Sequence, residues 1–247
     1  MPSPARLGFL YPDHAAEDDL PWLVEHLFPD GSVVADVVHT TIGEDAHTVE
    51  ALTETGSRRR LDEGAQRLRR SHASVAVWAC TSGSFVFGLA GARRQAAELA
   101  EDFGGPASST SLAFVAAVEA LGARTVAVAA SYPEPLARHF LGLLGEAGIG
   151  VASADSRGIF TAAQVGRLDD DEVEELVSGA DHPDAEAILV PDTALHTVRM
   201  LDRLEAAVGK PVLTANQVSV WEALRLAGRR ATSPRAGSVF AGASADA

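Results

Sequence analysis

The 247-residue chain is 47% hydrophobic and carries 34 acidic against 20 basic residues, a net charge of −14. That charge argues against binding a phosphate backbone, which needs clustered Lys and Arg, while the apolar content can fill one large or two small cores. No apolar run has the length of a membrane span, and the opening MPSPARLGFLYPDH lacks the basic and cleavable apolar regions of a secretory leader. The lone cysteine, Cys80, cannot form an internal disulfide. A cytoplasmic setting is expected, with neither nucleic acid nor membrane as partner. Composition does not decide between a monomer and a homo-oligomer.

In chain order, Leu7–Leu10 reads as a first strand. Glu17, Asp18 and Asp19 then place acid at the start of a helix from Leu20, where it complements the helix dipole. Val33–Val38 is the next strand, and the arginines 58–60, 67, 69 and 70 read as the solvated face of a polar helix. Strands follow at Val75–Ala79, Thr125–Ala130, Ile149–Ala152, Ala187–Val190 and Val212–Thr214. Helical periodicity runs through Phe114–Leu121, Leu136–Glu146 and Thr197–Ala207. Pro234, Gly237, Gly242 and the ending GSVFAGASADA read as a frayed tail. Continuously apolar strands separated by helices indicate an α/β fold of parallel sheets covered on both faces.

The second half repeats the first. SVAVWACTSGSF leads through a helix to GGPASSTSLAFVAAVEALG, and AEAILVPDTALHT leads through a helix to GKPVLTANQVSVWEALRLAG. Cys80-Thr81 thereby matches Asp192-Thr193 at an offset of 112, while Pro106 matches Pro211 at 105 and Gly122 matches Gly228 at 106. The expectation is two pseudosymmetric lobes facing a shared site, residues 1–112 with 218–247 forming one and 113–217 the other. A repeated βα pattern inside one sheet is the alternative.

Ligands of parallel α/β sheets bind beyond the carboxyl ends of the strands, where both Cys80 and Asp192 fall. A hydroxyl follows each and a helix is expected to begin there. Thr81, Ser82, Gly83 and Ser84 offer N–H and O–H donors suited to a carboxylate, and Thr193 is their counterpart. The same helix end is expected to lower the Cys80 pKa and favour thiolate.

The segments VWACTSGSF, ASYPEPLARHFLGLLGEAGI, LVPDTALHT and TANQVSVWEALRLAG resemble the aspartate/glutamate racemase superfamily, in its maleate cis-trans isomerase and arylmalonate decarboxylase branch. The resemblance runs from about Leu7 to Gly228. It implies two lobes, a site between them, no cofactor and no metal. Racemases of this superfamily use one cysteine per lobe. The isomerases use the first-lobe cysteine as a nucleophile, and the decarboxylases keep only the second. Cys80 occupies the first position and Asp192 the second, so the chain resembles the isomerases more. Two departures stand out. Isomerase asparagines that hold the dicarboxylate are replaced, with His14 or Ala15 near one position and Ala162 near the other. The carboxylate-binding tyrosine is retained as Tyr132.

Each candidate has a plainer reading. Cys80 would be a packed core thiol, Asp192 an N-cap, and Thr81, Ser82, Ser84 and Thr193 turn and cap hydroxyls. Tyr132 would be a turn residue and His14 a solvated loop residue. Asn216 and Gln217 read as helix caps, and Arg157 and Arg167 as solvated. His14, His39, His47 and His196 show no metal-ligand spacing. The expected chemistry is isomerisation of a small unsaturated carboxylate: Cys80 adds to the double bond, Asp192 handles a proton, and Thr81, Ser82, Tyr132, Thr193 and His14 bind substrate. Racemisation or decarboxylation through Cys80 and Asp192 is the alternative, and a non-catalytic carboxylate-binding protein a third reading.

Overall fold

A computed structural model describes residues 3–241. Eight strands form two four-stranded, wholly parallel sheets. The first contains β1 (Ala5–Pro12), β2 (Val33–Thr40), β3 (Val75–Trp78) and β4 (Ala107–Ser109), in the order β2-β1-β3-β4. The second contains β5 (Thr125–Ala130), β6 (Gly150–Ser156), β7 (Ala187–Val190) and β8 (Val212–Thr214), in the order β6-β5-β7-β8. The two orders are the same with every strand advanced by four. Register carries the repeat to single residues: Leu7 pairs with Val75 and Val126 with Ala187, so β3 and β7 differ by the offset of 112 that relates Cys80 to Asp192.

The helix following Cys80 and its neighbour, Gly88–Phe103, has 16 residues, whereas its counterpart Leu201–Val208 has eight. The second helix is eight residues shorter and the turn before it one residue longer, which takes the offset from 112 to 105. Both helices end on a glycine in the left-handed region, Gly104 (φ 81°) and Gly209 (φ 66°), where a side chain would be strained.

Two helices tie the lobes together. Phe114 of Thr110–Ala120 packs into the core under the second sheet, while Val220, Ala223 and Leu224 of Ala215–Leu226 pack under the first. They meet each other through a Thr110 to Ser219 hydroxyl contact of 2.6 Å. Phe85, just after Cys80, stacks edge-on against Tyr132 and lies 5.6 Å from both Tyr132 and Phe140. Such ring pairs add about 0.5–1.5 kcal/mol beyond burial and fix the Cys80 turn against the opposite lobe.

Three expectations are corrected. β4, absent from the strands read above, is a strand although only Ala107 of ASS is apolar, because Pro106 delivers it to the edge of β3. No helix starts at Asp192: residues 191–200 form turns, and the helix begins at Leu201. The chain from Pro234 is not frayed through Phe240. Pro234–Ala236 and Ser238–Phe240 form tight turns, and the Ala236 and Phe240 side chains are buried in the first lobe's core. Gly242 and the residues after it lie outside the described residues. Among the described residues no helix is long and apolar enough to cross a membrane.

Candidate active site

Cys80 stands two residues past the end of β3 and Asp192 two past β7, and both line one cavity of about 70 Å³ between the lobes. Ser82, Thr193 and His14 also line it. Thr81 and Tyr132 do not. The Tyr132 hydroxyl donates to the Pro191 carbonyl and so secures the turn that presents Asp192. Thr81 Oγ1 is buried without a hydrogen-bond partner, close to the Tyr132 phenol.

The thiol is 4% exposed. The Gly83 N–H donates to Cys80 Sγ at 3.3 Å, and the Ser82 hydroxyl lies 3.8 Å away. These donors ease ionisation, but burial outweighs them. Aided by the negative charge of Asp192, it pushes the Cys80 pKa from an ordinary 9.0 up to about 11. The expected lowering by a helix end is therefore reversed. The helix after Cys80, Ser82–Phe85, is a single turn and cannot offset a fully desolvated thiolate.

Asp192 is held at both oxygens. Ser131 donates to Oδ2, and the Ala194 N–H donates to Oδ1 at 2.9 Å. The turn behind it is anchored from the other lobe by Asp19, whose Oδ2 accepts from Thr197 N at 2.8 Å and Val198 N at 3.2 Å. Asn216 supports the same turn through the Thr193 carbonyl at 3.0 Å, and Gln217 closes a capping box with Thr214. Both serve the scaffold. Ser84 likewise spends its hydroxyl on the Cys80 and Thr81 carbonyls and Ser111.

Sequence reading missed three groups. Tyr11, at the end of β1, lines the cavity. Its hydroxyl donates to the Thr193 carbonyl at 2.8 Å and accepts from Ala16 N at 3.0 Å. Burial pushes its pKa up, so it keeps that donor. His47, also lining the cavity, bonds Ile159 O through Nδ1 at 2.8 Å and packs edge-on to Tyr132. Asp45 accepts from Ala162 N at 2.8 Å and Ala163 N at 3.2 Å. With the His47 N–H bonded to Phe160 O at 2.7 Å, these contacts fasten the 41–48 loop of one lobe to the 159–163 segment of the other. His14, Ala15, Ala162 and Ala163, at or beside the positions of the replaced asparagines, do line the cavity. The chain signal for Tyr11 was its place at the end of a strand. Nothing local marks His47 or Asp45.

No Lys or Arg is among the residues lining the cavity, whereas Asp13, Glu44, Asp45 and Asp192 are. Arg157 turns instead to Asp155 and Glu175, at 4.0 and 3.8 Å.

The arylmalonate decarboxylase family profile matches residues 29–240. The arylmalonate decarboxylase of Bordetella bronchiseptica is 30% identical over 166 residues, 66% of this chain and 69% of that one. The maleate isomerase of Geobacillus stearothermophilus is 27% identical over 138 residues, covering 56% of this chain and 55% of its own. In fold, the chain superposes on the Nocardia farcinica maleate cis-trans isomerase mutant with a covalently bound succinylcysteine intermediate. The TM-score is 0.86 at 20% identity, covering 96% of this chain and 98% of that one.

Proposed function

We propose that this chain, which belongs to the arylmalonate decarboxylase family, is an isomerase that moves a small unsaturated carboxylate between cis and trans forms through a Cys80 adduct. The observation that carries the reading is a protonated thiol and a carboxylate lining one cavity between the lobes. With a pKa near 11, the sulfur holds its proton at neutral pH, so Asp192 serves first as base.

The cycle balances without a co-reactant. Asp192 takes the thiol proton, and the sulfur electron pair forms a C–S bond to one alkene carbon. The π pair moves to the neighbouring carbon, beside the carboxylate, and that carbon takes the proton back from Asp192. The former double bond now rotates. Asp192 removes the same carbon's proton, the double bond re-forms in the other geometry, the C–S bond breaks and the sulfur is reprotonated. Ser82 and Thr193 supply donors for the substrate carboxylate. Tyr132 and Tyr11 hold the Asp192 turn in place. A covalent cysteine adduct of this kind is the state bound in the Nocardia farcinica isomerase.

Decarboxylation is the second reading, favoured by the family profile and the 30% relative. There the Cys80 proton would pass to the carbanion left after carbon dioxide departs. The resemblance weighs against it, because the family's decarboxylases keep only the second-lobe cysteine, whereas Cys80 follows β3 of the first sheet.

Proton NMR in D₂O with maleate, substituted maleates, amino acids and substituted malonates, beside Cys80→Ala, tests the assignment. Vinyl signals converting from cis to trans, lost in the variant, are expected. A deuterated monoacid would move the reading to decarboxylation, and loss of an α-proton signal to racemisation. Isomerisation at full rate in Cys80→Ala would rule out the adduct.

A further inference from the structure

We propose that His14, Glu17 and His39 form a binding site for a divalent transition metal, with Zn²⁺ as the reference ion, at the rim of the cavity. His14 and Glu17 are three residues apart and His39 lies 22 residues beyond Glu17, and the parallel pairing of β1 with β2 brings His39 to the other two. Tyr11 pairs with His39 and Pro12 with Thr40, so the loop leaving β1 lies beside the end of β2.

Two imidazole nitrogens converge on one carboxylate oxygen. His14 Nδ1 lies 2.6 Å and His39 Nε2 3.2 Å from Glu17 Oε1, and the three donor atoms all fall within 4.8 Å of one another. A tetrahedral Zn²⁺ with bonds of about 2.0–2.2 Å needs ligand atoms about 3.3–3.5 Å apart, so small side-chain adjustments suffice. The cluster is pre-positioned by its surroundings. The Ala15 N–H holds the second Glu17 oxygen at 2.9 Å, the two rings lie 4.0 Å apart, and Arg67 holds the His39 carbonyl.

Two imidazoles and a carboxylate are donors suited to Zn²⁺, Ni²⁺, Co²⁺ or Cu²⁺, and three protein ligands leave a position open. His14 also lines the cavity, whose lining otherwise holds four carboxylates and no Lys or Arg. An ion there places positive charge where an anionic substrate enters, with an open position for its carboxylate.

The test is calorimetric titration of chelator-treated, tag-free full-length protein with Zn²⁺, repeated with Co²⁺ to read coordination from its visible absorption. One saturable equivalent is expected. Affinity should fall by at least about tenfold in each of His39→Ala, Glu17→Gln and His14→Ala, the scale on which even outer-shell changes act. It should be unchanged in Cys80→Ala. The His14 side chain is 67% exposed, so its variant keeps the fold, and circular dichroism checks all four. Absence of a saturable equivalent would overturn the proposal. So would binding that survives the three substitutions, or binding that is lost with Cys80.

Discussion

Replacing Asp192 by Asn separates two roles that the carboxylate plays toward Cys80. As a negative charge it adds to burial in keeping the thiol protonated, and in the proposed cycle it is the base that accepts the proton when substrate is bound. Removing the charge should therefore make the thiol more reactive while making the enzyme slower. The wild-type pKa of about 11 leaves about one thiolate in a thousand at pH 8, against about one in ten for a thiol at 9.0. Burial is the larger cause of the shift and survives the substitution, so Cys80 alkylation rises by less than the ceiling of about 100-fold. Turnover falls by about 10²–10⁴-fold, the usual worth of a positioned base. Asn retains an oxygen to accept from Ala194 N, so the turn is preserved. Iodoacetamide is uncharged and Cys80 is the sole cysteine, which makes whole-protein mass spectrometry a clean measure of alkylation rate. In the wild type that rate should climb tenfold per pH unit from 7 to 10 without a plateau. Slower alkylation in Asp192→Asn would mean that the carboxylate activates the thiol. Turnover that rises along with alkylation would mean that Asp192 only suppresses the thiolate and moves no proton.

Three further outcomes follow from the same geometry. Because the folded-state Cys80 pKa is raised, its contribution to stability is full below about pH 9 and is lost as pH climbs to about 11, a change of about 3 kcal/mol. Urea unfolding of wild type minus Cys80→Ala at pH 8 and 11 should show it, and equal differences at both pH values would contradict a desolvated thiol. Asp19→Ala strips the acceptor from two buried N–H groups, at about 3 kcal/mol, which lowers Tm by about 6–12 °C in a chain of this size. The Asp192 turn should shift with it, so a variant with wild-type turnover would show that the anchor is dispensable to the site. Ser131→Ala removes the donor to Asp192 Oδ2 and should lower kcat by about tenfold, equivalent to about 1.4 kcal/mol, with little change in Tm. An unaltered kcat would show that the Ala194 N–H alone positions the carboxylate.

Periodicity and the internal repeat were enough to place seven strands and the strand ends that carry Cys80 and Asp192, because apolar runs and strand ends are local signals. β4 escaped, since its three residues owe their strand geometry to β3 beside them and not to their own side chains. The absence of a helix after Asp192 was equally hidden: Asp-Thr-Ala-Leu-His is a good helix start, yet Asp19, more than 170 residues away, binds Thr197 N and Val198 N and holds the segment as turns. The buried Phe240 shows the same limit, as small flanking residues suggested a tail while the open edge of the first core accepted the ring. In the site, Cys80, Ser82, Asp192 and Thr193 were readable as strand-end chemistry. His47 and Asp45 were not, because they reach the cavity only through contacts with the 159–163 segment of the other lobe. The direction of the thiol shift was misread for a related reason. A helix start after Cys80 was legible, but its ending after one turn was not, and the apolar enclosure that outweighs it is assembled from distant parts of the chain.

The substitution of a carboxylate for a second thiol bears on which reaction the cavity suits. Racemisation in both directions asks each group to act as acid on one face and base on the other, which favours matched pKa values. A carboxyl and a thiol are dissimilar acids, and burial raises the thiol further, to about 11. Such a pair is biased: the proton rests on sulfur, and its passage to the carboxylate is uphill until substrate intervenes. Addition and elimination tolerate that bias. The proton leaves sulfur only as the C–S bond forms, reaches the neighbouring carbon through Asp192, and returns by the same route when the bond breaks. Each group thus repeats one exchange in reverse within a single turnover, and no free thiolate need accumulate. Thiol protonation in the empty site is then compatible with nucleophilic catalysis, provided that base and electrophile are presented together, as a cavity lined by both Cys80 and Asp192 allows.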